Sequence, residues 1–320
     1  MSNIYVVGLS RSGTTLLTTI LDSHSDISMG YELIPPKLGS LKEVVTSIKN
    51  AQNNGAITAR EVSKLLPEQC SNGCGVFIKR SARALITPDL LVEVLQNFSC
   101  KNTDNPKTIS ERTSLASAIV DRKQQLEGTK SSGFKIPITL VDELKRGAEA
   151  VRIIAVIRDP RDVFSSQLKR KMTVSAKSFS GQWDLYAAKI LSYEQSGAID
   201  IVIRYEDMVS NLDVTINTIQ EKLKIKKDAQ MRDFYKSKAS IHAPGQKHVN
   251  SKELSRDVFD TSINRWREDL ADEEAVLIES ICKKNMQQFG YTTDDSIRER
   301  RYFCRQLRYA FMFFLKKCVR

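Results

Sequence analysis

Ile4-Tyr5-Val6-Val7-Gly8-Leu9-Ser10-Arg11-Ser12-Gly13-Thr14-Thr15 is the stretch on which the fold turns. Four β-prone residues run into a glycine and a small polar loop. From Thr14 onward Leu16, Leu17, Ile20 and Leu21 recur at helical spacing. The order is strand, loop, helix. A loop in that place turns backbone N–H groups inward, and the helix N-terminus adds positive potential, so it suits a phosphate-like anion. The bland alternative is an ordinary glycine-bearing turn; the strand–loop–helix context favours the anion site. Where a nucleoside-triphosphatase loop carries lysine after its second glycine, this chain has Thr14. Without that lysine the β- and γ-phosphates lose their main point charge. Arg11, inside the loop, offers instead a planar fork for paired phosphate or sulfonate oxygens. The loop fits an anionic nucleotide and is poorly built for hydrolysing ATP or GTP with magnesium.

Working outward, Val151 to Ile157 is a nearly continuous apolar run, the signature of a central parallel strand covered on both faces. Ile199 to Ile203 is a third run, and Gly133 to Ile136 a short fourth. Helical patterns follow: one starts at Asp159-Pro160, where proline suits a first turn, and another spans about Leu212 to Leu223. This alternation predicts a doubly wound α/β fold. Residues 40–130 are polar and helical in pattern, and read as an insertion over a substrate cleft. Residues 236–262, with Pro244 and Gly245, read as a long loop. There is no internal repeat.

A second anion site is written in Val156-Ile157-Arg158-Asp159-Pro160-Arg161-Asp162-Val163-Phe164-Ser165-Ser166. Arg158 closes a buried strand, Ser166 lies in the next helix, and Arg170 falls four residues on, on the same face. Two arginines and a hydroxyl so placed make a phosphate clamp. The alternative is a solvated turn with internal ion pairs. Two anion motifs in order, each after a strand, weigh against it.

At these residues a resemblance becomes clear. Arg11-Ser12-Gly13-Thr14-Thr15-Leu16-Leu17 resembles the 5′-phosphosulfate loop of sulfotransferases, which use 3′-phosphoadenosine 5′-phosphosulfate as donor. Leu21-Asp22-Ser23-His24 and Gly30-Tyr31-Glu32 are similar to the branch holding tyrosylprotein, carbohydrate and many bacterial enzymes. Arg158 and Ser166 keep the spacing of the family's 3′-phosphate motif. The resemblance implies a P-loop NTPase-like three-layer fold with a central, mostly parallel sheet, and donor contacts at Arg11, Ser12, Gly13, Thr14, Thr15, Arg158 and Ser166, to which the helix-face spacing adds Arg170. It also implies Tyr205, at a strand end, near the adenine or ribose, and Arg265, in Asn264-Arg265-Trp266-Arg267, near the 3′-phosphate. Trp266 reads as packing and Arg267 as a partner of Glu268 or Asp269. Motif coverage runs from residue 4 to about residue 290.

Sulfuryl transfer needs a base for the acceptor hydroxyl and positive charge where the bridging oxygen departs. Glu32 stands at the position of the tyrosylprotein branch's catalytic glutamate; from the residues alone, a surface Glu before Pro35-Pro36 is an equal reading. Lys135 in Gly133-Phe134-Lys135-Ile136-Pro137 resembles the family's Lys-x-Pro element and is the candidate electrophile, against an exposed lysine before a turn. Arg11 joins them as a catalytic candidate. His24, His242 and His248 are the three histidines. His24 reads as a local structural hydrogen bond, and the other two fall in the long loop. The chemistry asks for no metal, and no convincing ligand set exists; Cys70 and Cys74 lack a second pair to complete one.

The chain has 320 residues, 41% hydrophobic and 27% charged, with 49 Lys and Arg against 38 acids and a formal charge of +11. That is globular composition for one large α/β domain, residues 1–296, plus a terminal element. Residues 297–320, IRERRYFCRQLRYAFMFFLKKCVR, carry net +7. Phe303, Leu307, Phe311, Phe314 and Leu315 share one side of what reads as a basic amphipathic helix. Two readings stand: peripheral contact with an anionic membrane, or a helix packed on the domain with a solvated basic face. The +4 left on residues 1–296 is unexceptional for an anion cleft, so nucleic acid is not needed to explain the charge. The start MSNIYVVG lacks signal-peptide features, no run spans a bilayer, and six cysteines in this length are no disulfide scaffold. A soluble, cytoplasmic protein is the expectation, with membrane-peripheral contact as one of the two readings of the tail. The acceptor expected is a hydroxyl on a carbohydrate or glycolipid, with a tyrosyl peptide next. A P-loop kinase and a non-catalytic nucleotide-binding interaction protein are the rival functions.

Overall fold

The computed structural model describes residues 3–67, 73–147, 151–173, 175–236 and 262–297. The expected long loop, with His242 and His248, and the basic tail from residue 298 lie outside the described residues. Cys70, Cys304 and Cys318 lie outside them too.

Five strands form one parallel sheet: β1 (Asn3–Val7), β2 (Ile27–Gly30), β3 (Ser131–Lys135), β4 (Val151–Ile157) and β5 (Ile201–Arg204). Their order is β2-β3-β1-β4-β5, so β1 is central. Strand periodicity splits the side chains between two layers. Ile4, Val6, Ile154 and Val156 face α1 (Thr14–Asp22), α10 (Tyr205–Ser210) and α11 (Leu212–Leu223). Tyr5, Val7, Ile153, Ala155 and Ile157 face the opposite layer, which includes α6 (Ile109–Glu127), α8 (Pro160–Lys169), α9 (Ala176–Gln195) and α13 (Asp272–Gln288). Each of these strand side chains is buried, at about 1.5–3 kcal/mol for an aliphatic group of this size. The three-layer α/β expectation holds.

Residues 41–127 contain α2 (Leu41–Asn53), α3 (Ala59–Lys64), α4 (Cys74–Ala82), α5 (Pro88–Lys101) and α6. Capping explains several starts: Ser40, Thr58, Thr87 and Thr108 each accept a backbone N–H two or three residues into the helix. α6 packs directly on β2 and β3 and is the crossover between them. A short α7 (Val141–Gly147) leads to β4, and α12 (Trp266–Asp269) precedes α13.

β2 is a strand that hydrophobic patterning did not reveal. The third apolar run also starts later than expected, because Asp200 turns inward: its carboxylate binds Lys145 at 2.8 Å and the Ile153 N–H at 2.8 Å. The register puts every strand end at one edge. Val6 pairs with Lys135, Val7 with Ala155, Gly30 with Phe134 and Ile157 with Arg204. Gly8, Tyr31, Lys135, Arg158 and Tyr205 therefore all lie at the carboxyl edge of the sheet. There β1 feeds α1 on one face while its neighbours diverge, the usual crevice of an open α/β sheet. β3 approaches β1 so closely near this edge that a Cβ on Gly133 would sit 1.7 Å from the Ile4 carbonyl oxygen.

Candidate active site

The loop from Gly8 to Gly13 carries two left-handed residues, Arg11 at φ 75° and Gly13 at φ 93°. Arg11 is a non-glycine held in a conformation that costs energy, which surrounding structure must over-determine. Gly13 is the N-cap of α1, and a Cβ there would fall 2.4 Å from the Tyr205 ring, so glycine is required on both counts. No side chain caps α1 and no acid occupies its first turn. The first N–H groups of that helix are thereby left for a ligand. Gly13, Thr14, Thr15 and Leu16 line a cleft of about 280 Å³. Ser12, expected among the binding residues, is 1% exposed and does not line it.

The second motif closes the same cleft. Asp159 caps α8 and Pro160 fills its first position, as the sequence predicts. Arg158 is 6% exposed and donates from Nη1 to the Arg11 carbonyl at 3.0 Å and from Nη2 to the Ser262 carbonyl at 2.6 Å. Its guanidinium lies 4.3 Å from the Tyr205 ring centre, and its Nε is buried without a partner among the described residues. Arg11 Nε donates to Ser166 Oγ at 2.9 Å, so the two anion motifs bind each other. Arg170 caps the C-terminal end of α8 and still lines the cleft with Ser166. Arg265 lines it too, with Nε 3.4 Å from Asp269. Tyr205 donates to or accepts from Ser262 at 2.7 Å.

The acids of the second motif build the wall. Asp162 accepts the N–H groups of Asn264 at 2.9 Å and Trp266 at 3.0 Å, fixing that segment over the cleft. Burial pushes its carboxyl up to about 6, against the opposing pull of Arg158. Arg161 is buried between Asp159 and Glu279 and stacks 4.2 Å from the centre of Trp266. Trp266 is thus packing, and Arg267 pairs with Asp294 in place of the expected neighbours. Ser165 and Lys169 both bind Asp269 and line the cleft; the sequence reading passed over both.

A second cleft, about 620 Å³, continues from the first across Arg11, Thr14, Thr15 and Arg170. Glu32 and Lys135 line it outside the shared wall. Glu32 is left-handed at φ 53°, with its side chain 49% exposed and its carboxylate 3.3 Å from Arg80 and 3.8 Å from Arg83. Lys135 ends β3 beside the loop; burial pushes its ammonium down to about 8, against the opposing pull of Glu32. Lys79, Arg80 and Arg83, at the end of α4, are the functional candidates most completely missed, since residues 40–130 show no motif. Beneath Glu32 lies a buried network. Lys123 binds Asp22 and donates to the Met29 carbonyl at 2.7 Å, while Asp22 accepts the Met29 N–H at 2.6 Å and the Tyr31 hydroxyl at 3.3 Å.

His24 is fully buried, with Nε2 3.0 Å from the Lys226 carbonyl and Nδ1 accepting the Asp26 N–H at 3.0 Å, and it lines neither cleft. Among the described residues no three His, Cys, Asp or Glu side chains converge. No helix among them is long and apolar enough to cross a membrane.

Residues 3–229 match the family described as "Sulfotransferase family". The fold is similar to the sulfotransferase domain from the curacin biosynthetic pathway, at TM-score 0.60 and 14% identity over 91% of this chain and 98% of that one. It is also similar to the sulfotransferase domain from the Synechococcus PCC 7002 olefin synthase, at TM-score 0.60 and 17% identity over 91% and 95%. At such identities the likeness is one of fold. No curated protein matches the chain in sequence.

Proposed function

The chain belongs to the sulfotransferase family, and on that premise we propose that it moves a sulfuryl group from 3′-phosphoadenosine 5′-phosphosulfate to a hydroxyl of a carbohydrate or glycolipid. The observation that carries the reading is the junction of the two clefts at Arg11, Thr14 and Thr15, with Glu32 and Lys135 beyond it. The donor's chemistry fits the first cleft. The uncapped start of α1 and Arg11 suit its 5′ end. Arg158, with an unpartnered Nε, Ser166, Arg170 and Arg265 suit its 3′-phosphate. Tyr205 offers an aromatic ring for a base. On the acceptor side, Val76 and Met172 line the second cleft at 39% and 53% exposure, which supports an acceptor with an aliphatic portion.

In this reading the acceptor oxygen forms the new O–S bond as the bond from sulfur to the bridging oxygen breaks, releasing adenosine 3′,5′-bisphosphate. Glu32 takes the hydroxyl proton, and Lys135 and Arg11 face the charge that develops on the departing side. The test is transfer of labelled sulfate from the donor to a panel of glycans and glycolipids. Glu32→Ala should lower kcat by about 10²–10⁴-fold, with donor affinity unchanged. Undiminished transfer in both Glu32→Ala and Lys135→Ala would overturn the assignment of these two residues.

A further inference from the structure

Glu32 is the one carboxylate among the described residues lining the second cleft, and it faces six cations there. Arg11 and Arg170 belong to the wall shared with the first cleft, and Lys135 ends β3. Lys79, Arg80 and Arg83 come from the last turn of α4 and the residue that caps it. A transferring sulfonate and Glu32 together carry two negative charges, fewer than the six positive charges lining this cleft. Helix-end cations ordinarily serve the helix dipole. Three features here exceed that role: all three line the cleft, two reach the carboxylate proposed as base, and Arg83 is only 18% exposed. Burial works against the charge of Arg83 and lowers its guanidinium's hold on its proton. Surface helix ends do not need so desolvated a cation.

The conflict is with the base itself. A carboxylate that accepts a proton no longer balances two guanidiniums beside it. We propose that the acceptor carries its own oxyanion, a carboxylate or phosphate near the reacting hydroxyl, which binds Lys79, Arg80 and Arg83 and draws the two arginines away from Glu32. This inference rests on the function proposed above and narrows its acceptor to an acidic carbohydrate or glycolipid. Guanidinium forks match either oxyanion with paired hydrogen bonds, and each is stronger than a neutral one.

The test uses the full chain saturated with adenosine 3′,5′-bisphosphate, so that the first cleft's cations are already engaged. Methyl glucoside, methyl glucuronide and glucose 6-phosphate are then titrated by calorimetry or ligand-observed NMR. The anionic sugars should bind at least tenfold more tightly than the neutral one, and which is tighter identifies carboxylate or phosphate. Arg80→Gln with Arg83→Gln should reduce the preference to about twofold or less. Glu32→Gln removes the internal competitor, so the anionic sugars should bind about three- to tenfold more tightly to it than to the unaltered chain. If the double variant does not fold, the comparison of sugars on the unaltered chain and Glu32→Gln still decides. Equal binding of all three sugars, or no binding of any, overturns the proposal, as does weaker anion binding by Glu32→Gln. Failure of the bisphosphate itself to bind would instead count against the sulfotransferase reading; the α4 site would then be judged by whether Arg80→Gln with Arg83→Gln removes the preference for anionic sugars, and a preference that survives it would overturn the proposal.

Discussion

Lys135 carries the most specific residue-scale consequence. Its ammonium, pushed down to about 8 by burial, is charged below that pH and neutral above it. As an electrophile it must be charged, so kcat/KM, which reports the free enzyme, should fall about tenfold per pH unit above pH 8. Lys135→Arg, which keeps its charge, should shift that alkaline limb beyond pH 10; an unmoved limb would assign it to another group. The same shift acts on stability. The unfolded lysine titrates near 10.5, so the folded state binds fewer protons between pH 8 and 10.5, and stability rises with pH across that window. Lys135→Met should therefore raise stability at pH 7 by about 1–3 kcal/mol while abolishing activity, read by denaturant unfolding. The sequence marks this residue by its Lys-x-Pro setting. It marks Arg158 and Ser166 by their spacing, but not their mutual contacts with Arg11. Those depend on how β1 and β4 align, and no local pattern carries that.

At the scale of elements, legibility follows hydrophobic continuity. β4 reads plainly because six of its seven residues, all but Arg152, are apolar and buried between two helical layers. β2 does not, because Ile27-Ser28-Met29-Gly30 is four residues long and alternates polar with apolar although all four are buried. What holds β2 is polar: Asp22 from α1 and Lys123 from α6, both at most 1% exposed. Their pairing across sequence is invisible to periodicity. Removing one partner strands the other charge, so Lys123→Met should cost about 3–5 kcal/mol. Lys123→Met with Asp22→Asn should cost less than either substitution's sum, measured by a double-mutant cycle. Additive losses would show that the pair does not hold this end of the sheet. α4 escaped notice for a related reason. Its cations occupy one turn of a nine-residue helix and acquire meaning only through Glu32, which lies more than forty residues earlier.

For the whole molecule, the excess charge divides between a tail of net +7 and a domain of +4 whose cations converge at the sheet's carboxyl edge. On the membrane reading of the tail, a chain ending at residue 296 should lose affinity for anionic liposomes in co-sedimentation while keeping bisphosphate affinity; equal liposome binding would refute that reading and favour the packed helix. On the proposed function, the two anion motifs form one site for a 3′-phosphorylated adenine nucleotide: Arg11 binds Ser166, Arg158 binds the Arg11 carbonyl, and all three line one cleft. Calorimetry tests it most directly, with adenosine 3′,5′-bisphosphate, ATP and adenosine 5′-phosphosulfate on the full chain and on Arg158→Ala. The bisphosphate should bind at least tenfold more tightly than ATP, and Arg158→Ala should weaken it while sparing adenosine 5′-phosphosulfate. Tighter binding of ATP, or equal losses of both ligands in the variant, would contradict it.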